Sequence, residues 1–494
     1  MRIERNTCYR LAEYAGMLLL LFLLFWRIRH AIFGAQEEYG LFYIAQKGDF
    51  FAWLDSVSRE TGRITFYVLG WFWAGPMFFS DPIVYKISMY ILISVDFICF
   101  FWLLKCHIDR KFAVFAVSFI LIMLQISHQH NLLITYNYLH IPFILLMISA
   151  HLILNYCKGK AGYGAVLVSA LCSFAASFFQ ENFVLFYILI FAIVLYYEKD
   201  GAIGKRICSS LWKLKFHVLG GAVFLIVYFS FRVMCSMGSY DGNTLCISYP
   251  ITSLKVLITF MTGMLPGRSF FDLADSVGYN TVLAYAGKKD LIMIVLGILF
   301  LCLLLYHLPK FKTSSALFGC LILAAILSCG LHAISLQYIT WVSNGNAYAY
   351  VPSYYASFFM NTVLCLIIYS IYIKVKGKWR YIVLTGFAVA ALIFSTMTVA
   401  VNKYYDREYH NEFTHYETYR DYFQNCNIDT WEDSAQVLII DDYPVDVHLI
   451  HQAMTTVRYD AYYFTVTKDI NAIDTNRICY VLTYNDEGIR LDIQ

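Results

Sequence analysis

Charge is what this sequence has least of: Asp, Glu, Lys and Arg make up 14% of its 494 residues, against about a quarter in a soluble globular protein. Hydrophobic residues make up 60% and the mean hydropathy is +0.58, which excludes a soluble or disordered chain and defines an integral membrane protein. Nucleotide and metal signatures are missing as well. No G-x-x-x-x-G-K-[ST], no G-x-G-x-x-G ahead of a helix and no H-E-x-x-H occurs, so nucleotide-driven transport, dinucleotide chemistry and zinc proteolysis receive no support. None of the 14 cysteines forms a C-x-x-C or a Cys/His metal spacing, and small core residues are their commoner role. Two outer-side combinations, Cys235 with Cys246 and Cys426 with Cys479, remain open as disulfides in an oxidising compartment. No N-x-[ST] sequon is present, which disfavours a glycosylated protein of the eukaryotic secretory pathway. The basic residues form no separate patch, which argues against nucleic acid.

What is present is a series of apolar runs. Hydropathy predicts eleven spans, at 11–33, 83–104, 112–128, 137–156, 163–180, 183–197, 213–235, 290–308, 315–336, 354–374 and 380–400. Lys and Arg alternate cleanly between their connections. Arg2, Arg5 and Arg10, Lys105 with Arg110 and Lys111, Lys158 with Lys160, Lys199 with Lys205 and Arg206, Lys310 with Lys312, and Lys374 through Arg380 fall on one side. The opposing short loops around 128–136, 180–182 and 337–353 hold no Lys or Arg. The positive-inside rule therefore predicts an N-in, C-out chain. The basic, leucine-rich start resembles a signal peptide, but Arg27, Arg29 and the lack of an A-x-A site predict an uncleaved first helix.

The expected organisation is a membrane domain at 1–401, with outer loops 27–82 and 236–289, and an extracytoplasmic tail at 402–494. In the tail, "NKYYDREYHNEFTHYETYRDYFQ" has helical spacing, and "AQVLIIDD" and "ICYVLTY" read as strands of a small α/β domain. Asp441 and Asp442 close the first strand, where an acidic turn is commoner than a catalytic pair. Within 236–289, "YPITSLKVLITFMTGMLPG" suits an interfacial or re-entrant helix.

Chemistry is expected from charges at the outer ends of spans. Glu37 and Glu38 follow the first span in a loop that closes on "SRETGR", with Arg59 and Arg63. A carboxylate beside guanidiniums is what transfer from a lipid phosphate needs, a base for the acceptor hydroxyl and cations for the leaving phosphate. Solvated charge is the default for an isolated acidic pair. Gln180, Glu181 and Asn182 form the whole connection between two spans, where a carboxylate held close to the membrane serves function or caps the next helix. Asp96 lies mid-span, a functional candidate or a buried hydrogen-bonded acid. Arg268 follows a Pro-Gly turn and suits a lipid phosphate or ordinary headgroups. "QYITWVSNGNAYAYVPSYY" offers aromatic faces and amides, suited to sugars or to an interfacial belt.

On helix 1, the acidic pair Glu37–Glu38, the closing Arg59 and Gly62–Arg63, the many spans and the outer tail, the chain resembles the polytopic GT-C glycosyltransferases, especially the bacterial glucosyltransferase-like membrane proteins. The resemblance implies a mainly α, GT-C-like fold. It also implies an inverting glycosyltransferase (a hexosyltransferase) that moves a sugar from a polyprenyl-phosphate-linked donor to an envelope glycan or lipid acceptor, in a bacterial plasma membrane with its active site facing outward. Carried over, Glu37 is the favoured base and Glu38 its neighbour in acceptor binding, with Gln180–Glu181 matching a polar-acidic turn at a similar place; Arg59, Arg63 and Arg268 join Gln180 and Glu181 as expected substrate-binding residues on their own position in the outer loops. The family usually has Asp at the first acidic position, so the base assignment between Glu37 and Glu38 stays open. No cofactor is required; some relatives use a divalent metal, which no residue here specifies. The rival readings are a transporter or flippase of envelope lipids and a non-catalytic envelope assembly protein.

Overall fold

The computed structural model describes residues 2–493 apart from 49, 236–243, 312, 345–349, 427, 429–430, 432–434, 442–446, 459–463, 475–477 and 486–487. Helix α1 (Arg2–Arg27) carries the leucine-rich run. Three short helices, α2 (Gln36–Lys47), α3 (Phe50–Thr61) and α4 (Phe66–Ala74), then form the first outer loop. Next come α5 (Ile83–His107), α6 (Arg110–Met123), α7 (His140–Cys157), α8 (Tyr163–Phe179), α9 (Phe186–Tyr197), the amphipathic α10 (Ile203–Lys213) and α11 (Lys215–Met234). The second long loop folds as α12 (Pro250–Thr262), α13 (Arg268–Val277) and α14 (Tyr279–Leu283). Helices α15 (Lys288–Tyr306), α16 (Ser315–Ala333), α17 (Leu336–Ser343), α18 (Val351–Lys374) and α19 (Trp379–Asn425) complete the bundle.

Among the described residues, eight helices are long and apolar enough to cross a membrane, and they make the chain a multi-pass membrane protein. Each coincides with one of the expected spans. The other three expected spans are shorter: 112–128 is the 14-residue α6, and 163–180 and 183–197 are the apolar segments Tyr163–Phe179 and Glu181–Tyr197. The difference has a physical reason in α6, whose residues from Phe112 to Met123 are all buried. A helix screened from lipid by its neighbours need not match the bilayer thickness, and the irregular backbone that follows it is tolerated because protein surrounds it. Helix α12 packs against α16, α17 and α18, so the expected interfacial or re-entrant helix is a wall of the bundle.

The boundary expected near 402 falls inside a continuous helix. Helix α19 runs for 47 residues, roughly 70 Å at 1.5 Å per residue. Beyond its apolar half, Asp406, Tyr409, Phe413, Tyr416, Tyr419 and Phe423 are buried at spacings of three and four, one stripe of an amphipathic helix. The tail then folds as β1 (Gln436–Asp441), α20 (Val447–Val457), β2 (Thr465–Thr467), β3 (Cys479–Asn485) and β4 (Gly488–Ile493). The sheet order is β2-β1-β3-β4; β1 is parallel to β2 and β3, and β4 is antiparallel to β3. Trp431 lies flat on Tyr480, with ring centroids 4.0 Å apart, fixing the sheet to the end of α19. A single apolar core includes Leu24 of α1, Tyr416 of α19 and Leu482 of β3. Asp441 ends β1, and Asp442 lies outside the described residues. Thirteen of the cysteines are free, Cys235, Cys246, Cys426 and Cys479 among them.

Candidate active site

A cavity of about 1260 Å³ lies where α2, α3 and the start of α4 meet the 124–139 segment, the C-terminal end of α16, α17, the N-terminal end of α18 and α20. Its wall holds the Glu37 carboxylate, the Arg63 guanidinium, the imidazoles of His128, His130, His332 and His448, and the aromatic rings of Trp53, Tyr338, Trp341 and Tyr350. Polar atoms are therefore gathered at the ends of apolar helices, between the bundle and the C-terminal domain.

The acidic pair opens α2. Both carboxylates lie in its first turn, where the helix dipole favours negative charge. Successive helical residues point about 100° apart, and the pair divides accordingly. Glu37 is enclosed by protein yet 57% of its side-chain surface is open to the cavity, with Oε1 3.7 Å from His130 Nε2. Burial raises its pKa, but the contact and charge of His130, with help from the backbone and His128, outweigh that and hold the carboxyl below its ordinary value. It is an ionised, accessible carboxylate. His128 is held neutral: burial, reinforced by His130 and opposed by Glu37, brings it down to about 4.

Glu38 points the other way and is fully buried. Its Oε1 accepts from Trp73 Nε1 at 3.0 Å, from the Tyr136 backbone N–H at 2.8 Å and from the Tyr85 hydroxyl. Burial pushes its carboxyl up to about 7 against those hydrogen bonds. A pKa near neutrality suits a general base, but a group with no access to the cavity cannot take a proton from a substrate there. What Glu38 does is hold Tyr136, a non-glycine residue with φ of 54°, a conformation that persists where surrounding contacts impose it. Tyr136 in turn stacks on His130, with centroids 5.7 Å apart and planes 11° apart. Gly34 fits closely against the same segment: a Cβ there would stand 2.6 Å from the Gln129 carbonyl oxygen.

Arg63 reaches the cavity because α3 and α4 are joined by a tight turn. Gly62 takes φ of 64°, accessible to glycine without steric cost, and the Arg63 N–H donates to the Ser58 carbonyl at 3.0 Å. Arg63 Nε lies 2.8 Å from Glu181 Oε1, with both side chains largely buried. Glu181 also accepts from the Tyr228 hydroxyl at 3.4 Å, and Gln180 lines the cavity. Asn182 instead donates to the Ser328 carbonyl at 2.5 Å and accepts from the Leu331 N–H at 3.1 Å, bracing α16.

The structure thus brings Glu37, Arg63, Glu181 and Gln180 together and sets three other candidates apart. Arg59 is exposed and paired with Asp55 at 2.9 Å. Arg268, at the start of α13, pairs with Asp272 at 2.9 Å. Neither lines the cavity. Asp96 is fully buried in the bundle, 2.6 Å from His140 Nδ1 and accepting from the Tyr354 hydroxyl at 2.9 Å; His140 Nε2 is 2.9 Å from the Leu132 carbonyl. The acid therefore helps tie the 124–136 segment to the bundle. Of the aromatic stretch 337–355, Tyr338, Trp341 and Tyr350 line the cavity, and 345–349 lie outside the described residues.

Sequence reasoning missed the histidines and α20. "SHQHN" in a loop without Lys or Arg was a signal for His128 and His130; nothing local marks His448 and Gln452, which join the cavity from the far end of the chain. Among the described residues, no group of three or more His, Cys, Asp or Glu is arranged to hold a metal ion.

Fold and site together define a multi-pass membrane protein with a charged cavity at its helix ends. No protein-family model and no curated protein matches the chain. Among solved structures, the crystal structure of ArnT from Cupriavidus metallidurans bound to undecaprenyl phosphate aligns over 97% of this chain and 94% of that one, at 9% identity and a TM-score of 0.38. The same protein in the apo state aligns over 98% and 94%, at 11% identity and 0.37.

Proposed function

We propose that the protein is an inverting glycosyltransferase that moves one sugar from a polyprenyl-phosphate-linked donor to an envelope glycan or lipid, at the outer face of a bacterial plasma membrane. The observation that carries this reading is an accessible carboxylate, Glu37, sharing a cavity with a largely buried guanidinium, Arg63. In the reaction, an acceptor hydroxyl oxygen attacks the anomeric carbon of the sugar and Glu37 takes the hydroxyl proton. The bond from that carbon to the phosphate oxygen breaks, and its electron pair leaves with the phosphate. Arg63 offsets the developing charge, in a setting where surrounding protein strengthens the interaction. Trp53, Trp341 and Tyr350 offer flat apolar faces for a sugar ring, and Gln180 and Gln452 offer amides for its hydroxyls. A single displacement of this kind inverts the anomeric configuration and needs no nucleotide. We propose no cofactor.

The test is direct. Full-length protein in lipid nanodiscs, given a polyprenyl-phosphate hexose and a panel of envelope glycans and lipids, is expected to release polyprenyl phosphate and yield a product of inverted anomeric configuration by NMR. A product of retained configuration would overturn the single-displacement mechanism, and no release with any acceptor would overturn the activity.

A further inference from the structure

A second cavity, of about 390 Å³, lies between the C-terminal halves of α5, α7 and α9 and the N-terminal half of α16. Helix α16 reaches the candidate active site with its other end, through His332. Leu104, Leu146, Ile193, Leu321 and Ala324 give it an apolar interior, and Lys158 and His107 also line it.

The polar end is a built cluster. Lys158 Nζ is 3.0 Å from His107 Nδ1, and His107 Nε2 is 3.1 Å from His151 Nδ1. A lysine ammonium has only hydrogens to give. His107 Nδ1 is therefore the acceptor, its Nε2 carries the hydrogen, and that hydrogen is donated to His151. His151 Nε2 then carries that ring's hydrogen and donates it to the Asn155 side-chain amide oxygen, the amide atom 2.7 Å away being O rather than N, so both imidazoles are neutral and Lys158 is the cluster's charge. Among the described residues no Asp or Glu lines this cavity, and Lys160 adds a second positive charge that acts on Lys158. Trp102 lies on His151, with ring centroids 3.7 Å apart, fixing the relay from the lipid side.

An apolar cavity between membrane helices takes hydrocarbon rather than water. A half-buried cation in a cavity that no described carboxylate lines, at helix ends that carry Lys105, Lys158 and Lys160, recruits an anionic lipid headgroup. We propose that this cavity is a binding site for an anionic glycerophospholipid, with part of an acyl chain between α7 and α16 and the phosphate on Lys158. The His107–His151 relay directs one Lys158 N–H inward, leaving the other two for phosphate oxygens.

The experiment uses full-length protein in mixed nanodiscs of phosphatidylglycerol and phosphatidylcholine, with the lipid kept through delipidation counted by native mass spectrometry. Wild-type protein is expected to keep one phosphatidylglycerol with at least fivefold preference over phosphatidylcholine. The half-exposed Lys158→Gln should abolish the preference without unfolding the protein. Ala324→Phe, which fills the tail cavity, should keep neither lipid, with its fold checked by thermal unfolding. Equal retention of both lipids by the wild type, or undiminished phosphatidylglycerol retention by Lys158→Gln, would overturn the proposal.

Discussion

Two adjacent glutamates have opposite surroundings. Glu37 opens onto the cavity, whereas Glu38 is a sealed strut under Tyr136. Glu38→Ala is expected to orphan three donors and destabilise the protein by about 3 kcal/mol or more, read as the unfolding midpoint in detergent. The pH dependence has a definite sign. Folding raises the Glu38 pKa from 4.5 to about 7, so the native state binds more protons than the unfolded state between those values. Its contribution to stability is therefore lost as pH rises from about 4.5 to 7, by about 3 kcal/mol. Glu38→Gln should flatten that slope; an unchanged slope in the unfolding midpoint would contradict it. Arg63→Ala, which removes a charge-assisted contact, should slow transfer roughly tenfold to a hundredfold without altering the product. The acidic pair was legible in the sequence. Which acid faces the cavity was not, because that depends on the rotational setting of α2, to which the fit of Gly34 against Gln129 contributes.

The 124–136 segment holds two cavity histidines in irregular backbone, so its geometry depends on side chains from elsewhere. Asn402 accepts from the Ile126 N–H at 2.7 Å and donates to the Leu124 carbonyl at 3.0 Å. Tyr405 donates to the Ser127 carbonyl at 3.2 Å. Asn402→Ala leaves two buried backbone groups unpaired, at about 1–3 kcal/mol each. Hydrogen exchange should accelerate across 124–136 while the middle of α19 stays protected. Gly34→Ala is expected to shift the same segment through the Gln129 contact and reduce transfer. The long helices were legible because apolar runs of bilayer length are a strong signal. The short α6, buried from Phe112 to Met123, was overestimated because hydropathy does not distinguish a helix facing lipid from one facing protein. The continuity of α19 was hidden by the change from an apolar to an amphipathic pattern at 402, which alters the solvent and leaves the helix intact.

Across the whole molecule, the cavity is closed by parts of the chain more than four hundred residues apart. Gln452 of α20 donates to the Gln36 carbonyl at 2.7 Å, Lys47 of α2 donates to the Thr456 carbonyl at 2.7 Å, and Tyr416 meets Thr456 at 2.6 Å. Helix α20 is thus seated on the helix that carries Glu37. Lys47→Ala with Gln452→Ala should loosen it, seen as faster hydrogen exchange in α20 and a raised KM for acceptor. The small α/β character of the tail was legible from its two strand runs; its role as a cavity wall was not, since no local pattern encodes so distant a contact. The central claim is that the open carboxylate of α2 is the base. The most direct measurement is the rate of polyprenyl phosphate release by Glu37→Gln and Glu38→Gln beside the wild type, at equal folded fraction. The account predicts a loss of at least a hundredfold for Glu37→Gln and a rate within tenfold of wild type for Glu38→Gln. Wild-type release by Glu37→Gln would contradict it.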